Sequence, residues 1–258
     1  LPETDLDLLI RAARAAGEIA AGFSGKTVRC WEKSGGAGPV TEADLAVNEM
    51  LESTLREARP DYGWLSEETE DDPARLDCDT VFIIDPIDGT RSFIEGSRTW
   101  AHALAIARRG EVTAAVVYLP MRDKLYSSAA GVGAYLNGDP IHVTGQSAMI
   151  GASMLAAKPN YAPEHWRGEV PAITRVYRPS LAYRTSLVAE GRFDAMLTLR
   201  PTWEWDVAAG DLILREAGAA TSDRGGRKLQ FNNAVPKLNG ILAANPMLHR
   251  KIAGALQV

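Results

Sequence analysis

Cysteine is almost absent from this chain: two in 258 residues, Cys30 and Cys78, far apart in sequence. That excludes a disulfide framework or a zinc knuckle and leaves free thiols, as a reducing cytoplasm would. The four histidines, His102, His142, His165 and His249, show no metal-ligand spacing. His102 sits in an apolar run and reads as a structural residue. No stretch of about 18 uncharged apolar residues occurs, and no basic segment leads into an apolar one, so neither a membrane span nor a signal peptide is expected. Positive charge is also short, with 28 Lys and Arg against 33 Asp and Glu and a net charge of −5. This is the wrong sign for a partner of polymeric nucleic acid or of an anionic membrane, although single nucleotides remain admissible ligands. Internal repeats, low-complexity segments and nucleophilic Ser or Cys motifs are likewise missing.

What is present is a composition of 46% hydrophobic and 24% charged residues, enough for one large core or two smaller ones. Residues 6–23 place Leu6, Leu9, Ile10, Ala13, Ala16, Gly17 and Ala20 at helical spacing, with Thr4 or Asp5 as cap. A Gly-rich loop follows at 34–39, and Thr41 is positioned to cap a second helix carrying Leu45, Val47, Met50, Leu51 and Leu55. Strand-like runs stand at 81–84, 101–107, 112–119 and 125–128, the middle pair joined by Arg108-Arg109-Gly110 in hairpin fashion. Beyond about residue 145 the pattern becomes an alternation: strand 152–156, an irregular Pro-rich stretch, helix 181–189, strand 195–198, helix 206–217, a turn at Gly225-Gly226 and strand 240–243. The chain therefore reads as α/β, with an α+β part over residues 1–145 and an α/β part over 146–258.

The most informative segment is Asp85-Pro86-Ile87-Asp88-Gly89-Thr90, directly after the apolar run 81–84. It places two carboxylates, a glycine turn and a hydroxyl at the end of a buried strand, and a helical turn opening at Thr90 would aim the amides of Gly89 and Thr90 at an anion. Further acidic residues stand at element edges: Asp44, the pair Glu67-Glu68, and Asp206. Alone, Asp44 reads as an exposed helix residue, the acidic run 67–72 as a solvated loop, and Asp206 as a helix cap. Together they imply a cation, because each unit pair of like charges costs about 4 kcal/mol at 4 Å with an effective dielectric near 20. Oxygen ligands without His or Cys favour Mg²⁺, with Mn²⁺ also admissible.

At these residues the chain resembles the inositol monophosphatase family of Mg²⁺-dependent, lithium-sensitive phosphatases. Asp85-Pro86-Ile87-Asp88-Gly89-Thr90 with Phe93 is similar to one family hallmark, and Trp205-Asp206-Val207-Ala208-Ala209-Gly210 with Glu216-Ala217-Gly218 to the other. Lys33, Asp44 and Ser66-Glu67-Glu68 fall in matching order, so the resemblance covers nearly the whole chain. It implies a layered αβαβα sandwich of the sugar-phosphatase type and a small phosphorylated metabolite as partner, and leaves a homodimer open. It further implies that Glu67, Asp85 and the Ile87 carbonyl bind one metal, that Asp85, Asp88 and Asp206 bind a second, and that Glu67 helps hold a weaker third. Thr90, bonded to Asp44, would activate water, while the Gly89 and Thr90 amides would hold phosphate. Glu68 would support the ligands, and Lys33 would stand near the metals.

For the substrate, the resemblance implies a glutamate about seven residues before Asp206 in inositol-selective members, and this chain has Leu199 there. The stretches beginning at Ser180 and Thr202 look closer to bacterial 3′(2′),5′-bisphosphate nucleotidases. On that reading Tyr183, Arg184, Arg200 and Trp203 would receive a base and a second phosphate, and adenosine 3′,5′-bisphosphate is the leading expectation. Inositol 1-phosphate is the alternative, with Glu204 then replacing the missing glutamate. Histidinol phosphate, fructose 1,6-bisphosphate and a non-catalytic binding role are further readings.

Overall fold

The computed structural model describes residues 3–23, 28–33 and 38–257. Six α-helices are present among them: α1 (Asp5–Phe23), α2 (Glu42–Ala58), the short α3 (Thr90–Ile94), α4 (Leu181–Ala189), α5 (Ala208–Glu216) and α6 (Pro246–Ala255). None is long and apolar enough to cross a bilayer. Thr4 accepts from the Asp7 amide and so caps α1, as its position predicts. Thr41 caps α2 in a reciprocal capping box with Asp44.

A seven-stranded sheet runs in the order Gly63–Ser66, Thr80–Asp88, Ala101–Arg108, Glu111–Leu119, Lys124–Ala129, Gly133–Leu136, Asp139–Pro140. Only its first pair is parallel. The turn at Arg109 and Gly110 has φ of 52° and 84°, the left-handed pair that matches strand twist in a tight hairpin. A second, mixed sheet of five strands runs Thr174–Val176, Ser153–Ala156, Ala195–Thr198, Ile241–Ala244, Ala220–Ser222.

Strand periodicity stacks these elements into five layers. Phe82, Ile84, Leu104 and Ile106 face α1 and α2, while Val81, Ile83 and the alanines 101, 103, 105 and 107 face α4 and α5. On the far side of that helix pair lie Leu155, Met196 and Ala243 of the five-stranded sheet. Its outer face packs Met154, Leu197 and Leu242 against Leu248 and Ile252 of α6. The order is thus αβαβα, as the family resemblance implies.

Several expectations are revised in detail. The strand predicted over 81–84 continues to Asp88, and α5 starts two residues after Asp206, with Val207 and not Asp206 at its cap. Gly63–Ser66 and α6 were not anticipated; one is only four residues long and the other is announced mainly by an Asn245 cap ahead of Pro246. Of the Gly-rich stretch 34–39, residues 34–37 lie outside the described part.

Candidate active site

The strand Thr80–Asp88 brings the site together through an irregularity. In a regular strand, residues three apart project to opposite faces. Here the pairing with Ala101–Arg108 slips between Asp85 and Asp88, where Pro86 has no N–H to contribute. The bulge turns both carboxylates to one side. The Pro86 carbonyl freed from the ladder accepts from His102 Nδ1 at 2.5 Å. His102 is thereby the structural residue its apolar setting suggested. Gly89 follows with φ 99°, a conformation only glycine adopts readily, and α3 begins at Thr90 without a side-chain cap.

Asp206 arrives from just ahead of α5. Its carboxylate oxygen lies with one from Asp85 and one from Asp88 so that all three fall within 4.8 Å of one another. Three charges this close raise each other's pKa. Asp85 and Asp206 are pushed well above the carboxylate range, first by burial and then by neighbouring carboxylates, Glu67 among them in both cases. Asp88 is also raised by burial, but hydrogen bonds from Ser180 Oγ (2.7 Å) and the Ala182 amide (2.6 Å) work against the shift. Asp85 Oδ1 is buried with no hydrogen-bond partner. An oxygen desolvated at that cost, beside two more acids, suits a divalent cation with hard-oxygen preference, so the residues present fit a Mg²⁺ or Mn²⁺ ion.

Glu67 and Glu68 stand in the turn after Gly63–Ser66. That turn is braced by Ser66 Oγ donating to Asn48 Oδ1 (2.7 Å) and by the Glu67 amide donating to the Ile84 carbonyl (3.2 Å). Lys33 Nζ bonds Glu67 Oε1 at 2.8 Å and Glu68 Oε1 at 2.6 Å. Lys33 is therefore paired to both glutamates and is not a loose surface lysine. Burial raises Glu68 to about 7 despite that partner, while Lys33, lowered by burial but held by both carboxylates, ends above its ordinary value. Glu67 is near enough to perturb the triad yet outside the group within 4.8 Å.

Asp44 is buried, contrary to its reading as an exposed helix residue. Its Oδ2 accepts from the Thr41 amide (2.8 Å) and hydroxyl (2.5 Å), which leaves Oδ1 toward Thr90 Oγ1 at 3.4 Å. Burial lifts Asp44 to about 6 even against those donors. Thr90 Oγ1 also lies 3.3 Å from the Ile87 carbonyl, so its proton is shared between two acceptors.

A cavity of about 380 Å³ opens over these groups, lined by Asp88, Gly89, Thr90, Asp206, Arg184 and Arg200, among others. Arg184 is buried, its guanidinium 4.6 Å from the Tyr177 ring centroid and its Nε donating to the Arg178 carbonyl. Tyr183, Trp203 and Glu204 are not part of it. Tyr183 lies on the other side of α4, packed in the core with the Arg122 guanidinium over its ring. Trp203 stacks on Trp205 and carries Lys237 on its face. Glu204 is fully buried and accepts from both amides of Asn232 and Asn233, pinning that loop. Leu199 belongs to the outer core cluster and does not line the cavity. Ser180 and Tyr177 carry contacts that the sequence did not assign. A serine immediately before helix 181–189 was the available signal, as a cap with a spare hydroxyl proton.

Comparison with known proteins identifies the family and the fold. The sequence profile of the Inositol monophosphatase family matches residues 2–258. An inositol-1-monophosphatase of Rhizobium meliloti is 34% identical over 243 residues, 89% of this chain and 90% of that protein. Among solved structures, the Thermotoga maritima IMPase superposes with a TM-score of 0.81 at 28% identity, covering 96% of this chain and 95% of that one. A structure of SaIMPase-II with bound 2′AMP gives 0.80 at 25% identity, covering 96% and 91%. The profile match spans the same residues that build the five layers and the acidic cavity, and the chain belongs to the inositol monophosphatase family, as a phosphatase of phosphate monoesters.

Proposed function

We propose that the protein is a Mg²⁺-dependent, cytoplasmic phosphatase of a small polyol phosphate, with inositol 1-phosphate the substrate suggested by the names of its relatives. The observation that carries the reading is the convergence of Asp85, Asp88 and Asp206 around an unpartnered buried oxygen, beneath an open cavity lined by the Gly89 turn. Asp85, Asp88 and Asp206 would hold one ion, and Asp85, Glu67 and the Ile87 carbonyl another, with Glu67 shared by a weaker third. Bound there, Mg²⁺ supplies charge neutralisation for the phosphate and acidifies a coordinated water.

The chain's own groups then do the rest. The Gly89 and Thr90 amides receive phosphate oxygens at the uncapped start of α3 and orient the phosphorus. Thr90 Oγ1 accepts a proton from the attacking water as it passes its own to Asp44 Oδ1, which the two Thr41 donors keep turned toward it. Lys33 holds Glu67 and Glu68 in place. Chelation with EDTA followed by Mg²⁺ tests the reading: phosphate release should vanish and return. Activity that survives exhaustive chelation would sink it. Lithium should inhibit at high Mg²⁺, with KCl as the ionic-strength control.

A second reading is favoured by one observation, the two guanidinium groups of Arg184 and Arg200 on the cavity wall. They suit a substrate with a second anionic group, adenosine 3′,5′-bisphosphate being the candidate, and a neighbour with bound 2′AMP is compatible with a nucleotide in this fold. A panel of inositol 1-phosphate, adenosine 3′,5′-bisphosphate, histidinol phosphate and fructose 1,6-bisphosphate decides between the two by kcat/KM. Arg184→Ala or Arg200→Ala should cost roughly 10- to 100-fold for the bisphosphate and little for a monophosphate.

A further inference from the structure

Ser180 is the N-cap of α4 and one of five described non-glycine residues with positive φ, at φ 64° and ψ 118°. For a residue with a Cβ this backbone is strained, and such strain persists only where surrounding bonds enforce it. Here three interactions do so. Ser180 Oγ accepts from the Tyr183 amide at 3.0 Å, which caps the helix. The hydroxyl's single proton goes to Asp88 Oδ2 at 2.7 Å, and the Ala182 amide donates to the same oxygen at 2.6 Å. The Gly89 turn packs close by, since a Cβ built on Gly89 would lie 3.4 Å from Ser180 Cβ.

We propose that Ser180 is a positioning residue for the cation site: its hydroxyl, with the Ala182 amide, fixes the plane of the Asp88 carboxylate so that Oδ1 is the oxygen left for a metal. This rests on the reading of Asp88 as a ligand. It goes beyond that reading because the orienting group comes from a different layer of the fold, nearly a hundred residues along the chain. A helix cap alone needs only the acceptor side of the hydroxyl. Spending its proton on Asp88, in a backbone conformation that glycine would adopt without strain, is what a cap does not require. The arrangement also accounts for serine where the backbone favours glycine, because glycine has no hydroxyl to donate.

The decisive variants are Ser180→Gly and Ser180→Ala, with Asp88→Asn as control. Each is stripped of metal, its thermal midpoint is measured, and Mg²⁺ binding is titrated by calorimetry, so that the readout does not depend on turnover. Glycine relieves the strain and serves nearly as well at an N-cap, so Ser180→Gly should keep or raise the metal-free midpoint. Its Mg²⁺ dissociation constant should nevertheless rise roughly 10- to 100-fold, the range for groups that orient a metal ligand. Ser180→Ala should lose the same affinity while melting earlier. If Ser180→Gly binds Mg²⁺ within threefold of the native protein while Asp88→Asn does not bind, the positioning role is wrong and the ligand reading stands. If affinity falls only in the alanine variant, in step with its midpoint, Ser180 is merely a cap. Should Asp88→Asn itself retain native Mg²⁺ affinity, the ligand reading fails, and the inference with it.

Discussion

Asp206, half-buried, and His102, fully buried, are shifted in opposite directions and lead to separable predictions. Asp206→Asn or Asp88→Asn removes an anionic ligand at almost constant volume. Each should cut kcat by more than tenfold, a barrier increase above about 1.4 kcal/mol, while the metal-free protein melts no earlier because mutual repulsion is relieved. Retention of more than a tenth of native kcat at millimolar Mg²⁺ would refute the ligand assignment. His102 is fully buried, with Nδ1 committed to the Pro86 carbonyl and Nε2 without a partner. Burial lowers its pKa from 6.5 to about 4. A depressed histidine favours the folded state only above its unfolded pKa, so its contribution, about 3 kcal/mol, is lost as pH falls from 6.5 toward 4. Asp44, Asp85 and Asp206, with raised pKa values, act in the other direction over the acidic range. Comparing urea denaturation of the native protein with His102→Phe cancels them. The gap between the two stabilities should shrink or invert from pH 7 to pH 4, and a constant gap would show that the imidazole does not titrate this way.

Elements explain why the hallmark segments have the residues they do. Gly210, at the end of Trp205-Asp206-Val207-Ala208-Ala209-Gly210, lies in α5 where α4 crosses it. A Cβ there would meet Thr185 Oγ1 at 2.1 Å and Thr185 Cβ at 2.6 Å. Gly210→Ala should therefore destabilise by about 1–3 kcal/mol or more, as overpacking does, although alanine is the better helix former. Because α4 also carries Ser180 and Arg184, its displacement should weaken Mg²⁺ binding as well. Urea denaturation and Mg²⁺ titration check both halves of this expectation, and an alanine variant as stable as native would show that the two helices separate freely. At this scale much was legible in advance. The spans 181–189 and 195–198 are found where patterning puts them. The bulge at Asp85–Asp88 was not legible, since it is a property of register with a neighbouring strand and not of local propensity. Tyr183 and Glu204 lie outside the cavity for a related reason: residue type suggests ligand contact, whereas helix phase and a distant loop decide which way each side chain turns.

For the whole molecule, the site exists only where separate layers meet. Asp44 comes from α2, Asp85–Asp88 from the seven-stranded sheet, Glu67 from the turn after its first strand, and Ser180 and Asp206 from the segments that lead into α4 and α5. No single acidic residue announced this gathering, since each has an ordinary place at a helix start or in a turn; the combination of the Asp85–Asp88 segment with Asp206 did. A cation bound there binds the folded state alone and should stabilise it by about 2.7 kcal/mol at a hundredfold excess over the dissociation constant. Differential scanning calorimetry with and without Mg²⁺ should show the rise in the native protein and its loss in Asp206→Asn. A rise that persists in that variant would place the stabilising ion elsewhere.

The hairpin succession from Ala101–Arg108 to Asp139–Pro140 has a kinetic consequence. Each of those strands pairs with its immediate successor, so their contacts close short loops and can form early. Thr202–Trp203 pairing with Lys237–Leu238, and Asp206 reaching Asp88, close loops of tens to more than a hundred residues. During refolding, β-structure measured by circular dichroism should therefore recover ahead of Mg²⁺-binding competence, leaving an interval in which the chain is largely built and still blind to its metal.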